Sequence, residues 1–441
     1  MIGAFLLMAM LAAEPAPSKP LPPLKDPVEA LEERPLAEVQ ALAGKGDPIG
    51  EVALADMLND GRAGDIDHAR ALALFQKAAA AGNADAIGDL GFMSQMGWAV
   101  PQDYAAAMAQ YRKAADMGGS DAMLGIGYLY QRGLGCALDY AQAMAWYQKA
   151  LAAGNIHAGD FIGNLYAGGH GVAEDDAKAG TFYQASANAG NGFGYENLGS
   201  LYAHGTGVPK DAAKAVALYR LGASAHFPGG PMYLLGSAYA SGSGVDKDDA
   251  QAVQWYRRSA ALGSRDAMYA LAVDLEKGRG VDLDLETSRA WMLKSADLGY
   301  VSAQIHLGNM YAQGNGVPID AAQAFKWYKA ASDQNDKYGQ YALGRAYMDG
   351  IGTPVDLAKG IALIQVSAQR GYYAAQNMLG VYSFSGTGVA KDKVTALKWL
   401  ILAVDGGDKY APSGVTNIEA GMSADDITKA KAEASAFKST D

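Results

Sequence analysis

The chain has 441 residues, half of them hydrophobic, and its 36 basic and 47 acidic residues give a formal net charge of −11. An acidic balance without long runs of like charge argues against binding to nucleic acid or to an anionic membrane surface. The single cysteine, Cys136, excludes an internal disulfide and a cysteine zinc cluster, and we expect it to be a small buried hydrophobe.

The N-terminus is apolar. Residues 1–13, MIGAFLLMAMLAA, resemble the apolar core and cleavage region of a signal peptide, although no Lys or Arg precedes them, and residues 14–33 follow as a proline-rich linker. We therefore expect a periplasmic or secreted protein; the alternative is an uncleaved apolar N-terminus on a cytoplasmic protein. No later segment is long and apolar enough to span a membrane, so we expect no integral membrane segment in the mature chain.

The next predicted element is a short amphipathic capping helix over residues 34–46, closed by Gly44. Residues 47–408 then repeat ten times with a step of 36 residues, apart from one step of 37. The first glycine of a loop marks each copy: Gly61, Gly97, Gly133, Gly169, Gly205, Gly242, Gly278, Gly314, Gly350 and Gly386.

Each copy contains two helical patterns, which we name helix A and helix B. In the eighth copy, LGNMYAQGNGVPIDAAQAFKWYKAA (residues 307–331), apolar residues recur at helical spacing on both sides of a Gly-x-Gly loop. The loop could cradle a phosphate or simply bend the chain. An aspartate always follows the first loop glycine by six residues, and a carboxylate there caps helix B and disfavours a phosphate at its N-terminus. These aspartates are Asp67, Asp103, Asp139, Asp175, Asp211, Asp248, Asp284, Asp320, Asp356 and Asp392.

Eight copies also place a glycine inside helix A, which costs about 1 kcal/mol relative to alanine. Close approach of another helix is the expected compensation. These glycines are Gly91, Gly127, Gly163, Gly199, Gly236, Gly308, Gly344 and Gly380. After the repeats, residues 409–441 predict a C-terminal capping helix region, in which Ser423 and Asp426 have the spacing of a capping box.

The combined pattern resembles the Sel-one-like repeat, a relative of the tetratricopeptide repeat. The eighth copy carries it at Ala303, Leu307, Gly308, Tyr311, Gly314, Gly316, Val317, Asp320, Ala324, Trp327, Tyr328, Lys329, Ala330 and Ala331. The resemblance implies an all-α, right-handed superhelical solenoid of about ten 36-residue helix-turn-helix repeats with helical caps. The pattern is weakest in the end copies, where Ala63 replaces the second loop glycine and Ser383 a tyrosine, as is expected of terminal repeats.

The sequence has few motifs that are typical of catalytic or metal-binding sites. Ser435 and Lys438 have the spacing of the serine-lysine pair of penicillin-recognising enzymes, but the partner motifs of those enzymes are missing. Two acidic stretches, residues 245–249 and 281–286, lack the glycine and distal glutamate of a calcium loop. The histidines are scattered over different copies, so we predict no metal site and no cofactor. They are His68, His157, His170, His204, His226 and His306.

The predicted binding residues lie on helix A. If Ala303 is position 1 of its repeat, positions 1, 5, 6 and 9 face the core, and positions 3 and 7 point away from it. Large apolar residues at these two positions predict a contact surface. The alternative is that neighbouring A helices bury them. The predicted partner-binding residues are Phe92, Leu124, Tyr128, Tyr233, Tyr269, Ile305 and Tyr341, and Val273 and Val381 also occupy position 7.

From these observations we expect a non-catalytic protein–protein interaction scaffold or regulator of a bacterial-type cell envelope. It would act as a monomer and bind a protein or peptide of unknown identity on the concave face of the solenoid. Two alternatives stay open: an enzyme acting on cell-wall peptides or β-lactams, and a polysaccharide-handling scaffold whose tyrosines stack on sugars.

Overall fold

The computed structural model describes residue 31 and the ranges 34–224 and 230–440. All regular secondary structure in these residues is α-helical, and the complete helices number 23. The expected signal peptide and nearly all of the proline-rich linker lie outside the described residues. Within the described part, every helix is too short or too polar to cross a bilayer.

We number the helices α1–α23 in chain order. Helix α1 (Leu36–Gly44) precedes the repeats, and α22 (Ala411–Glu419) and α23 (Ala424–Ser435) follow them. The A helices are α2 (Pro48–Asn59), α4 (Ala84–Met96), α6 (Ser120–Arg132), α8 (Ala158–Ala167), α10 (Gly192–His204), α12 (Gly230–Ser241), α14 (Arg265–Lys277), α16 (Val301–Gln313), α18 (Lys337–Asp349) and α20 (Tyr373–Ser385). The B helices are α3 (His68–Ala80), α5 (Tyr104–Asp116), α7 (Tyr140–Ala152), α9 (Asp176–Asn188), α11 (Ala212–Ser224), α13 (Asp249–Ala261), α15 (Leu285–Asp297), α17 (Ala321–Asp333), α19 (Leu357–Gln369) and α21 (Lys393–Asp405).

The contacts divide the chain into two compact units, unit 1 (Met1–Lys247) and unit 2 (Asp248–Asp441), so that the division falls between α12 and α13. Within each unit, helix A packs against the B helix of its own repeat and the B helix before it. The predicted all-α architecture of ten helical hairpins is therefore confirmed.

The Gly-x-Gly loop between helices A and B is a bend. Gly314 and Gly316 have φ angles of 76° and 71°, in the left-handed region that glycine adopts without strain. The backbone N–H of Gly314 donates to the carbonyl of Met310 (2.8 Å), which ends helix A. The backbone N–H of Asp320 then donates to the carbonyl of Tyr311 (2.9 Å) and brings the chain back alongside helix A.

The repeated aspartate then begins helix B. The Oδ1 atom of Asp320 accepts a hydrogen bond from the backbone N–H of Gln323 (3.0 Å), one of the amides that has no partner inside the helix. The other nine aspartates at this position accept the same kind of bond. Because the backbone N–H of Thr287 stabilises the carboxylate of Asp284, the pKa of that group is lowered.

In several repeats, the glycine inside helix A is required by a tyrosine ring from helix B. The ring of Tyr147 lies against Gly127, where an added Cβ atom would be 2.6 Å from the ring's Cδ1 atom. The tyrosine twenty residues after the glycine packs in this way in five repeats. The pairs are Gly91 with Tyr111, Gly127 with Tyr147, Gly163 with Tyr183, Gly199 with Tyr219, and Gly308 with Tyr328.

Helix α1 ends at Gly44, and Gly46 (φ 78°) then turns the chain. Two local expectations need correction. The carboxylate of Asp426 accepts a hydrogen bond from the hydroxyl of Ser423 (2.8 Å) and not from the backbone N–H of Ser423, because the aspartate side chain is one methylene shorter than that of glutamate. The Cys136 side chain is half-buried, not buried, because it lies in the loop, where its Sγ atom is 3.6 Å from the carbonyl oxygen of Leu129.

The fourth repeat contains a buried carboxylate. Asp160 on α8 is 3% exposed, and its Oδ2 atom accepts hydrogen bonds from Ser186 Oγ (2.7 Å) and Asn191 Nδ2 (2.6 Å). Burial disfavours the charged form and raises the pKa of Asp160 to about 7, and the charge of nearby Glu196 acts in the same direction. The folded protein therefore holds a proton on Asp160 over a pH range in which the unfolded chain has lost it.

Replacing Gly127 with alanine should destabilise unit 1 by about 1–3 kcal/mol, because the new methyl group overlaps the Tyr147 ring. The matched control is Gly88→Ala in α4, where an added Cβ would have only the Cβ atoms of Ala122 (3.7 Å) and Ala114 (3.9 Å) within 4 Å. That substitution should be neutral or stabilising by up to about 1 kcal/mol. Urea unfolding followed by circular dichroism measures both. Equal effects of the two substitutions would contradict the packing role of Gly127.

In the Asp160→Asn variant, the free energy of unfolding should lose a pH dependence that it has in the natural protein. Because the folded pKa of about 7 is above the unfolded value of 3.8, the contribution of Asp160 to stability is greatest below pH 4. Relative to the variant, the free energy of unfolding of the natural protein should fall by about 1.4 kcal/mol per pH unit between pH 4 and 7, then level off. Parallel stability curves would contradict the assignment.

Candidate partner-binding groove

The predicted contact residues are neither all exposed nor all buried. Phe92 is 40% exposed and Val381 is 50% exposed, whereas the other residues predicted at positions 3 and 7 are half-buried. Helix direction alone therefore does not decide their exposure. The residues on the adjacent helices do.

In unit 2, neighbouring rings cover part of the predicted surface. Tyr269 packs against the rings of Tyr300 (5.3 Å between centroids) and His306 (6.0 Å). Tyr341 makes an edge contact with Tyr372 (5.1 Å) and lines a cavity of about 520 Å³ together with Tyr410. These contacts use ring surface that stacking on a sugar would need.

In unit 1, three of the predicted residues come together. Phe92 on α4 and Leu124 and Tyr128 on α6 line one open groove of about 440 Å³. The volume is within the range of pockets that bind small molecules or large side chains. The remaining lining residues are Ala84, Asp85, Gly88, Asp89, Gln95, Met96, Tyr111, Gly119, Asp121, Ala122, Gly125 and Phe161. We call this site the α4–α6 groove.

Of the glycines that line the groove, Gly88 leaves it open and Gly125 serves packing. Gly88 occupies position 3 of its repeat, where Leu124, Tyr269 and other large residues stand in later copies. An added Cβ at Gly88 makes only ordinary van der Waals contacts, so its absence leaves space that the fold itself does not need. Gly125 has a packing role, because a Cβ there would lie 2.8 Å from Cζ of Tyr111.

A change of hydrogen-bond partner explains why Phe92 and Tyr128 occupy position 7. A buried tyrosine hydroxyl needs an acceptor. In the eighth repeat, position 7 supplies it, because the Tyr328 hydroxyl donates to Asn309 Oδ1 (2.8 Å). In the second repeat, Tyr111 instead donates to Gln95 Oε1 (3.0 Å).

The third repeat uses the same replacement. Tyr147 donates to Gln131 Oε1 (2.5 Å), four residues after Gly127. Position 7 is thereby released from satisfying the core in the second and third repeats and holds an aromatic ring that faces the groove. We did not predict this exchange from the sequence, although a glutamine four residues after the helix A glycine occurs only in these two copies and was the available signal.

The groove is acidic. Its lining includes three carboxylates, Asp85, Asp89 and Asp121, and no basic residue. The Oδ1 atom of Asp121 accepts from Asn155 Nδ2 (2.5 Å), which holds that side chain in place. Burial raises the pKa of the Tyr111 hydroxyl, and the negative charge of Asp89 adds to the shift, as expected of a negative potential within the groove.

The other sequence candidates have structural roles. The hydroxyl of Ser435 donates to the carbonyl of Lys431 in its own helix (2.9 Å). Asp248 and Asp284, in the two acidic stretches, cap B helices. The described residues contain no group of three or more His, Cys, Asp or Glu side chains arranged to hold a metal ion. His226 lies outside them.

Comparison with protein families finds the Sel1 repeat, which matches ten times along the chain. The matched residues are 48–83, 84–119, 120–155, 161–191, 193–227, 232–264, 265–300, 301–336, 337–372 and 374–408. A search of curated proteins finds no match.

Similar solved structures include two bacterial proteins. One is a protective antigen of uropathogenic Escherichia coli strains that displays an SLR fold, with 26% identity, coverage of 92% of this chain and 94% of that chain, and a TM-score of 0.42. The other is a Sel1 repeat protein from Oxalobacter formigenes, with 26% identity, coverage of 85% and 98%, and a TM-score of 0.46. The family matches extend over most of the sequence and coincide with the helical hairpins, so this chain belongs to the Sel1 repeat family.

Proposed function

We propose that this protein is a non-catalytic scaffold that binds a protein or peptide segment in the α4–α6 groove. The observation that carries the proposal is the meeting of Phe92, Leu124 and Tyr128 in one open, largely apolar groove. Sel1 repeat proteins are generally protein-interaction scaffolds. A groove of this kind on a helical repeat array suits an extended or helical segment that inserts apolar side chains.

The chemistry of the groove supports binding over catalysis. Its lining has no serine, cysteine, histidine or lysine, the residue types that most often act as nucleophiles or bases near neutral pH. Aromatic side chains at the centre of a groove are the usual source of binding energy in protein interfaces. The proposed role is therefore recognition, with specificity from residues that differ between repeats.

The cell envelope is the proposed compartment. The support is the sequence of residues 1–13, whose apolar core and small terminal residues are typical of exported proteins. We further propose that the protein acts as a monomer there, presenting the groove to a partner that shares the compartment.

Replacing Phe92 with alanine should weaken capture of the native partner about tenfold or more, because a central aromatic residue contributes roughly 1–3 kcal/mol to binding. The measurement is affinity purification from the native cell envelope with quantification of co-purified proteins. The folded state should be unaffected, since Phe92 is 40% exposed and its ring contact is with the partly buried Trp98.

The matched control is Phe193→Ala. Phe193 is 45% exposed, is in the same unit, and does not line the groove. Proteins whose recovery falls with Phe92→Ala and not with Phe193→Ala are the expected partners. If the two variants recover the same proteins in the same amounts, the α4–α6 groove is not the binding site.

A further inference from the structure

A second cavity lies in unit 2, on the face of the A helices where the sequence predicts contact residues. Its volume is about 520 Å³, and its walls come from α18, α20 and the loop between α21 and α22. Asn377 and Val381 occupy positions 3 and 7 of the tenth repeat, and Tyr341 occupies position 3 of the ninth. We call this site the tyrosine cavity, whose lining includes Tyr341, Tyr373, Asn377, Val381, Tyr382 and Tyr410.

The positions of the tyrosine rings are largely set by the protein itself. Tyr372, which is half-buried, contacts the ring of Tyr341 (5.1 Å between centroids) and the ring of Tyr373 (5.3 Å). The backbone of Tyr410 is held by Asp408, whose Oδ1 atom accepts a hydrogen bond from the backbone N–H of Tyr410 (2.8 Å). A ligand therefore meets side chains that need little reordering, which lowers the entropic cost of binding.

Two of these rings keep accessible surface. Tyr373 is 40% exposed, and Tyr410, at 70%, is more exposed still. The half-exposed side chain of Val381 lies on the same face of α20 as Tyr373, eight residues and just over two turns away. Exposed aromatic and aliphatic side chains that line one cavity are typical of a recognition site, in contrast to single apolar residues scattered over a surface.

The cavity also offers hydrogen-bond donors. The hydroxyls of Tyr373, Tyr382 and Tyr410 make no hydrogen bond to another residue in the described part of the chain. The same is true of the side-chain amide of Asn377. The carboxylate of the lining, Asp408, is already committed through Oδ1 to the N-terminus of α22. A ligand with carbonyl oxygens and few N–H groups therefore suits this lining.

Proline-rich chains have this combination of properties. They favour the polyproline II helix, which has no internal hydrogen bonds and leaves its carbonyl oxygens as acceptors. Proline has no backbone N–H, so burying such a chain leaves few donors that need an acceptor. Grooves lined by aromatic side chains are a recurrent means of binding these segments.

We infer that the tyrosine cavity is a second recognition site, which binds a proline-rich, extended segment of a partner protein. Proline rings would pack on Tyr373 and Tyr410, and carbonyl oxygens of the segment would accept hydrogen bonds from Tyr382 and Asn377. An extended segment without proline would bring a backbone N–H at every residue and find fewer acceptors. This site goes beyond the proposed function, because it gives the scaffold a second kind of ligand and does not depend on the α4–α6 groove.

The test uses the full chain and an acetylated and amidated twelve-residue peptide made of four Pro-Pro-Leu triplets. Isothermal titration calorimetry should show saturable binding. Because Asp408 and Lys409 contribute opposite charges to the lining and the peptide is uncharged, the affinity should change little with salt. The same peptide with Ser in place of Pro should bind about tenfold more weakly or not at all, since it is less ordered before binding and carries more N–H groups.

Three variants locate the binding. Tyr410→Ala should weaken it about tenfold by removing an exposed ring, and Tyr382→Phe about fivefold by removing only a hydroxyl donor. The matched control is Tyr338→Ala. Tyr338 is 47% exposed on α18 and contacts Tyr372, but it does not line the cavity, so this variant should bind as the natural protein does. Circular dichroism checks that each variant is folded.

The absence of saturable binding, equal binding of the Pro and Ser peptides, or equal weakening by Tyr410→Ala and Tyr338→Ala would overturn the inference. Cellohexaose tests the alternative ligand class. If it binds in a manner that Tyr410→Ala removes while the proline peptide does not bind, the cavity is a sugar site and the inference is wrong. Native capture with Phe92→Ala tests the α4–α6 groove, so either proposal can fail without the other.

Discussion

The close contact between a glycine in helix A and a large side chain of helix B, a tyrosine in five repeats, is the constraint on which the packing of these hairpins depends. In the third repeat, Tyr147 is fully buried against Gly127, and no side chain larger than hydrogen fits between them. The contact sets how closely the two helices approach. Because the ring belongs to a tyrosine, the fold must also supply an acceptor for a buried hydroxyl.

The position of that acceptor decides whether the residue after the glycine is needed in the core or is available for binding. When the residue after the glycine accepts the bond, as Asn309 does, its side chain is committed to the core. When a glutamine one turn along the helix accepts it, as Gln95 does, the residue after the glycine can vary without loss to the core. The α4–α6 groove lies where two successive repeats have made this change and Phe92 and Tyr128 occupy the released position.

The sequence predicted the parts of the fold that depend on local geometry. A glycine with positive φ and an aspartate that accepts a helix N–H need only their chain neighbours, so Gly314 and Asp320 could be assigned from spacing alone. The candidate site was predictable only in part. The direction of a side chain on helix A follows from the helical period, but its exposure depends on which residues the adjacent helices supply.

Because exposure depends on the adjacent helices, residues that the sequence predicts equally to be contact residues differ in their surroundings. Phe92 lines the groove in which Gly88 leaves space, whereas the ring of Tyr341 is in contact with the ring of Tyr372. The buried carboxylate of Asp160 is a similar case, since its hydrogen-bond donors come from Ser186 and Asn191 in elements that follow it. Such features arise from pairs of residues that are far apart in the sequence.

The most direct measurement of the central claim is site-specific photo-crosslinking in the native cell envelope. The photoreactive residue p-benzoylphenylalanine replaces Phe92 in one protein and Trp146, a half-buried residue on helix B, in another. We predict that position 92 forms a crosslink to a defined partner and that position 146 does not. Crosslinking to the same partner from position 146 alone would place recognition on the B helices and contradict the account.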